Sequence, residues 1–386
     1  MNELCCMTAS ALLNLIPIKE LEFLSAETKT DYQVKKLTGP TMFRLILFSM
    51  LNSNRASLRV MESFYHSATF KALSGKEYST TKYNSIRDRI TTINAEYFEK
   101  IFHLLFDKFS NELKEKESLI RFDSTMIAVS SKLVDWGMRV GSHKTNKRQL
   151  KYTIGLQGSL PCHVEIFKNQ KELSEDKTIP EAILNYENNK DGIVVFDRGV
   201  SSRKVYDKFT NTDIRFVTRV NTNIVYKEVK QNKIPKNQDI QINEDVSVVL
   251  KSRDGKWMEN SLRIIKAHTN EGKDIYFLTN IEDLSANEVA YIYKQRWDIE
   301  VFFKFLKQEL NFSHLVSRTD NGIRVMLYMT LILAILIIAY KKVNKLKGYK
   351  IPKLKFANEL EADIIKEIVI LCGGQPSKMK HLFNDS

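Results

Sequence analysis

Three acidic side chains, far apart in the chain, have the types and settings that metal-dependent chemistry requires. Asp123 follows the apolar run Leu119-Ile120-Arg121-Phe122, and Asp197 follows Ile193-Val194-Val195-Phe196. Both runs read as strands, so both carboxylates are expected at strand ends of one sheet. Either aspartate alone is what a strand shows where it meets water; together they form a candidate metal pair. The third acid is Glu300, within the helical stretch from Tyr293 to Lys307. At about 100° per residue with Tyr293 at zero, Arg296 falls near about −60°, Glu300 near about −20°, Lys304 near about +20° and Lys307 near about −40°. One face therefore carries all five, while Ile299, Phe302, Phe305 and Leu306 fall on the opposite face and pack inward. Asp298 lies about 160° from Glu300, which makes Glu300 the better ligand. The same helix also reads as an ordinary amphipathic one with a Glu300–Lys304 pair at i, i+4. The conjunction with the two aspartates tips the reading toward chemistry.

Three carboxylates suit hard divalent cations, Mg²⁺ or Mn²⁺, held as a pair about 4 Å apart for in-line phosphoryl displacement. Their mutual repulsion makes the trio cation-hungry, and Arg296, Lys304 and Lys307 on the same face would clamp phosphates. The formal charge of +13 and pI near 9.3 favour a polyanionic partner, nucleic acid or an anionic membrane surface. Two basic runs are candidate DNA contacts or solvated loops: Arg139, His143, Lys144, Lys147, Arg148 and Lys151, and the seven lysines between 341 and 355. Trp257 reads either as a platform for a base turned out of the duplex or as a core residue. None of the seven histidines has ligand spacing, and Cys5, Cys6, Cys162 and Cys372 lack C-x-x-C spacing, so neither a structural zinc nor a disulfide framework is expected. A reducing cytoplasm fits.

Tyr293-x2-Arg296-x3-Glu300-x6-Lys307 resembles the Y-R-E-K signature of DDE-type insertion-sequence transposases of the IS-four type. Asp123-Ser124-Thr125 and Asp197-Arg198-Gly199 resemble that family's contexts for its first two acids, and Leu278-Thr279-Asn280 resembles the segment that closes its β insertion. The resemblance covers roughly residues 115 to 345; Val200 departs from it, standing where related sequences often carry an aromatic residue. It implies a ribonuclease-H-like catalytic core with an all-β insertion between the second and third acids, and Asp123, Asp197 and Glu300 as catalytic ligands of two divalent metal ions. Tyr293, Arg296 and Lys307 would hold the terminal DNA. It further implies excision through hairpinned ends inside a homodimeric DNA complex, then joining to target DNA. The expected partners are double-stranded terminal inverted repeats and target DNA, and the expected place is the prokaryotic cytoplasm at the nucleoid. A DNA-binding repressor derived from a transposase, without catalysis, is the rival reading.

The elements that must position these residues fall into an expected order, and 386 residues leave room for two or three domains. Residues 1–115 read as a helical domain for binding DNA ends, with apolar residues at helical spacing from Met42 to Leu51 and from Tyr97 to Phe106. A capped helix start is expected at Ser79-Thr80-Thr81-Lys82. Residues 116–220 and 281–320 read as the α/β core: a strand to Asp123, a hairpin of Tyr152–Gln157 and Cys162–Phe167, a helix at Pro180–Glu187 with proline in its first turn, a strand to Asp197, a helix at Ser201–Phe209 and a strand at Ile214–Val220. Residues 221–280 read as a β insertion, with strands Ile224–Val229, Val246–Leu250, Ser261–Ala267 and Ile275–Leu278 and turns at Asp254-Gly255 and Glu271-Gly272. One long helix is expected from near Ser285 to about Leu310, then a helical region over 321–386 with a Lys-rich tail. Val325 to Tyr340 carries 16 residues without a charge. That is short of the roughly 20 a membrane span wants, so it reads as a buried helix, with no membrane partner.

Overall fold

The computed structural model describes residues 7–75, 80–113, 119–129, 137–139, 148–188, 190, 192–234, 240–268 and 272–379. Cys5, Cys6, Ser79, His143, Lys144, Lys147 and Glu271 lie outside the described residues, as does the end of the tail beyond residue 379. The chain forms two compact units, one of residues 1–114 with 304–386 and one of residues 115–303.

The first unit is helical. Its N-terminal part holds α1 (Ala9–Asn14), α2 (Ile18–Glu27), α3 (Gly39–Asn52), α4 (Leu58–His66), α5 (Ala68–Ser74), α6 (Tyr83–Thr92) and α7 (Ala95–Glu112). Apolar spacing gives α3 and α7 their buried stripes, and Phe98, Ile101, Phe102, Leu105 and Phe109 of α7 are fully enclosed. The start of α6 differs from expectation: Lys82, not a Ser or Thr, occupies the N-cap without a side-chain bond, and the Tyr83 amide donates instead to Glu62 Oε2 at 2.9 Å. A carboxylate from the neighbouring helix α4 does the work of a local cap.

The second unit is built on one ten-stranded sheet. Its strands are β1 (Leu119–Val129), β2 (Met138–Arg139), β3 (Arg148–Gln157), β4 (Leu160–Phe167), β5 (Ile193–Val195), β6 (Arg215–Val220), β7 (Tyr226–Gln231), β8 (Gln241–Leu250), β9 (Leu262–His268) and β10 (Asp274–Thr279). Their order is β2-β3-β1-β5-β6-β10-β9-β8-β7, with β4 paired to β3. Strands β1, β5 and β6 are parallel and the remaining pairs antiparallel. Residues 221–280 thus continue the same sheet through β10 rather than starting another. Helices α8 (Glu175–Asn185), α9 (Arg203–Asn211), α10 (Ala286–Lys294) and α11 (Trp297–Glu309) complete it, α11 continuing into the first unit from Lys304.

Each face of the sheet is covered for a reason visible in strand alternation. Leu119, Ile193, Val195, Val217, Ile265 and Phe277 share one face and bury Ala286, Val289, Ala290 and Tyr293 of α10. Phe196, Phe209, Phe216 and Tyr206 interlock on the other, where α9 packs on β6. The start of α10 is fixed by a buried pair: Arg263 donates to both carboxylate oxygens of Asp245, and its remaining nitrogen reaches the Leu284 carbonyl at 2.5 Å. Ser285 and Glu288 then close a reciprocal cap.

Two helices depart from expectation. Pro180 lies inside α8, not in its first turn, because Ser174 caps the helix five residues earlier than Pro180 would start it and places Glu175 and Asp176 at its positive end. The expected single helix from Ser285 to Leu310 is broken at Gln295 and Arg296. There the amides of Arg296, Asp298 and Ile299 bond three residues back, at 3.0 to 3.2 Å, tightening the chain between α10 and α11. The remaining helices, α12 (Asp320–Val343) and α13 (Lys350–Leu371), return to the first unit. The uncharged stretch of α12 is enclosed on all sides, packed by α1, α3, α6, α7 and α13.

Candidate active site

Pairing between β1 and β5 sets Leu119 opposite Ile193, Ile120 opposite Val194 and Arg121 opposite Val195. Carrying that register two residues further puts Asp123 level with Asp197, on the α10 face with Leu119, Val195 and Arg121. Asp197 lies just past the end of β5, as expected. Asp123 does not end its strand: β1 runs on to Val129 because β3 pairs with it from Ile120 through Val129. What ends before Asp123 is only the parallel neighbour, whose last pair with β1 is Arg121 with Val195.

The α10–α11 break delivers the remaining groups to this face. Tyr293, near the end of α10, donates its hydroxyl to Asp197 Oδ1 at 2.8 Å. Arg296, in the break, lies 2.5 Å from Glu300 Oε1 and 3.9 Å from Asp123 Oδ2. One guanidinium thus links the third acid to the first. The break itself is held by Arg121, buried and two residues before Asp123 on the same strand face. Its Nε donates to the Gln295 carbonyl at 2.8 Å, one nitrogen to the Gly158 carbonyl at 2.9 Å, and another lies 3.4 Å from Asp298 Oδ2.

The two aspartates have opposite electrostatics. Burial pushes the Asp123 carboxyl up to about 6, helped by the charges of Glu175 and Asp197, while the Ser124 amide and Arg296 oppose the rise. Asp197 also meets a desolvation penalty, but the Arg198 amide, the Tyr293 hydroxyl, Arg296 and Arg219 outweigh it and hold its carboxyl below the ordinary value. Desolvation likewise works against the Arg296 charge; the bond to Glu300 and the proximity of Tyr293 and Asp197 more than restore it. Asp123 is therefore the carboxylate short of positive charge, the condition that favours a cation.

Among the described residues, no three His, Cys, Asp or Glu side chains converge as a ready metal cluster. Arg296 engages Glu300, and its guanidinium supplies positive charge where a cation would otherwise be wanted. The donor chemistry still fits a hard divalent ion: the three acids offer oxygen alone, and one is desolvated and poorly neutralised. Lys304 and Lys307 are exposed on later turns of α11. Trp257 is 48% exposed, not a core residue, and Lys251 Nζ lies 5.5 Å from its ring centroid.

Sequence reasoning missed Arg121 and Glu175. Arg121 had a signal, a charge inside an apolar run at the i−2 position of Asp123, which alternation puts on the same face. Glu175 looked like an ordinary acid near a helix start. Its carboxylate rests on Gly199, where a Cβ would stand 1.5 Å from Glu175 Oε2, so the glycine after Asp197-Arg198 makes room for a fourth acid.

A family model described as the transposase DDE domain matches residues 114–336. The chain is 25% identical over 301 residues to the probable transposase for insertion sequence element IS5377 of Geobacillus stearothermophilus, covering 77% of this chain and 76% of that one. It is 27% identical over 247 residues to the transposase assigned to insertion sequence element IS4SA of Synechocystis sp., covering 61% and 64%. Among solved structures, the piggyBac transposase synaptic complex with hairpin DNA is similar with a TM-score of 0.47 at 11% identity, covering 94% of this chain and 82% of that chain.

Proposed function

From the premise that this chain belongs to the DDE-type insertion-sequence transposases, as the match of a transposase DDE domain over more than half its length shows, we propose that it cuts DNA at the ends of an insertion sequence and joins the freed ends to target DNA. The catalytic acids are Asp123, Asp197 and Glu300. The observation that carries this reading is the closeness of Asp197 to Asp123, whose carboxyl feels its charge, with Glu300 tied to Asp123 through Arg296. The order β4-β3-β1-β5-β6, antiparallel then parallel, supports a ribonuclease-H-like core.

Asp123, Asp197 and Glu300 would hold two divalent ions, Mg²⁺ or Mn²⁺, which when bound activate a water or 3′-hydroxyl and stabilise the leaving oxygen. The chain's own residues do the rest. Tyr293 fixes the orientation of the Asp197 carboxylate through Oδ1. Arg296 holds Glu300 through Oε1, and an arriving phosphate would compete for that guanidinium through charge-assisted bonds of the same kind, freeing both Glu300 oxygens for ligation. Arg121 keeps the break, and so Arg296, over Asp123 while this exchange occurs. Lys304, Lys307 and Trp257 are assigned to DNA contact, the lysines to backbone phosphate and the exposed indole to a base turned out at a hairpinned end. Residues 1–115 are assigned to the terminal repeats, and the acting assembly to a homodimer on DNA at the nucleoid.

The test is cleavage of a plasmid bearing the element's ends in Mg²⁺, wild type against Asp123→Ala. The expected result is cutting at the ends by wild type and none by the variant. Equal cutting by both would remove Asp123 from the chemistry, and end-binding without cutting by wild type would turn the assignment to a repressor.

A further inference from the structure

A second basic site lies beside the acids, in the second unit. A cavity of about 350 Å³ is lined by Arg198, Arg203, Arg219, Lys251 and Arg253, with Ser201 and the neutral residues around it, and no carboxylate lines it among the described residues. Its volume stands at the low end of ligand cavities and is ample for one phosphate group. Bringing five cations around so small a space costs free energy unless an anion relieves it.

The strain is local and legible. Arg203 is partly buried, and its guanidinium is held below its ordinary value first by desolvation, with the nearby charge of Arg253 adding to the effect. Tyr206 and Asp176 oppose that shift, Asp176 being held by Ser201 and Ser202. Arg203 Nε is buried without a hydrogen-bond partner, while one terminal nitrogen reaches the Ser201 carbonyl at 2.5 Å. A nitrogen of Arg253 lies 3.4 Å from Ser201 Oγ. An orphaned donor and two mutually repelling guanidinium groups gather about Ser201, whose own hydroxyl proton goes to Asp176, so the donors left for a tetrahedral oxyanion are the guanidinium nitrogens. The cavity adjoins the acids: Arg198 is the residue after Asp197, and Arg219 helps neutralise Asp197.

We propose that this cavity seats one backbone phosphate of the DNA strand, next along from the phosphate that reacts at Asp123 and Asp197, with Arg203 and Arg253 as its direct contacts. The assignment rests on the proposed DNA-cutting function, and it adds to that function a sequence-independent anchor that fixes strand register.

The test uses the full chain in EDTA and a labelled duplex bearing the element's terminal repeat, with affinity followed against salt. Each phosphate neutralised contributes about 0.9 to the slope of log affinity against log salt, so Arg203→Gln with Arg253→Gln, which gives up one phosphate, flattens it by about 0.9. Between about 50 and 200 mM salt, wild-type affinity then falls about 3.5-fold further than the variant's. The double Arg→Lys variant, which keeps both charges, retains the wild-type slope. An unchanged slope in the Gln variant overturns the proposal, as does an equal flattening in the Lys variant. Binding of inorganic phosphate by wild type and not by the Gln variant, with the DNA slope unmoved, assigns the cavity to a free anion and overturns it too. Because no cleavage is needed, a wild type that binds but never cuts would defeat the proposed function and leave this comparison decisive.

Discussion

Replacing Asp123 by asparagine should make the metal-free protein more stable at neutral pH while abolishing DNA cutting. Burial raises the Asp123 carboxyl from 3.8 to about 6. Between about pH 4 and pH 6 the folded chain therefore keeps a proton that the unfolded chain has released, so stability falls as pH rises through that window and the full cost stands above it. A shift of about two units corresponds to about 3 kcal/mol. The side chain is 19% exposed, and the variant also gives up the charge attraction to Arg296 at 3.9 Å while its amide oxygen can still accept from the Ser124 amide, so a net gain of about 1 to 3 kcal/mol is expected. The measurement is urea unfolding of both proteins in EDTA at about pH 4 and about pH 7.5; packing effects of the substitution cancel between the two pH values. The variant's advantage should grow by that amount from the lower pH to the higher. A difference that is the same at both would refute the claim that a buried, under-neutralised carboxylate sits here. Adding Mg²⁺ at about 100 times its dissociation constant should restore about 2.7 kcal/mol to wild type and much less to Asp123→Asn.

Arg121→Met leaves the Gly158 and Gln295 carbonyls without their donor and should cost about 2 to 4 kcal/mol. Cutting should be lost with DNA affinity within about threefold of wild type; retained cutting would detach the break from the chemistry. Gly155→Ala places a Cβ 2.9 Å from two atoms of the Phe122 ring, directly beside the strand that carries Asp123, and should lower stability by about 1 to 3 kcal/mol in a thermal melt. Gly199→Ala meets mainly the mobile end of Glu175, so pairing it with Glu175→Ala should recover most of its loss; an undiminished loss would mean the backbone itself requires glycine. Trp257→Ala should lower the yield of hairpinned ends about tenfold, in line with one lost base stack, and wild-type yield would end its assignment.

The strands that carry Asp123 and Asp197 were legible because apolar runs are strong local signals, although β1 runs on past Asp123 to Val129, and the β1–β5 register does what alternation predicts. The break between α10 and α11 was not. Nothing in Lys294-Gln295-Arg296-Trp297 is a helix breaker, and the periodicity of Tyr293 to Lys307 is continuous. The interruption is held by Arg121 bonding a carbonyl more than 170 residues away in sequence, a tertiary cause that local pattern cannot carry. For the same reason Arg296, read from the helical wheel as a phosphate clamp, and Tyr293, for which the family resemblance implies a hold on terminal DNA, are found engaging Asp197, Asp123 and Glu300. The early start of α8 was open to reading from Ser174, but Pro180 drew attention to itself as a helix opener.

The common level of Asp123 and Asp197 separates what can vary in this chain from what cannot. Their alignment depends on strand pairing alone, so the hairpin and helix between them can gain or lose residues without shifting either acid. A single residue inserted between Leu119 and Asp123 would instead rotate the carboxylate to the opposite side of the sheet, among aromatic rings. Length changes should therefore be tolerated in the connecting loops and forbidden over those five residues, a rule that any attempt to graft this pair of acids onto another sheet would have to obey.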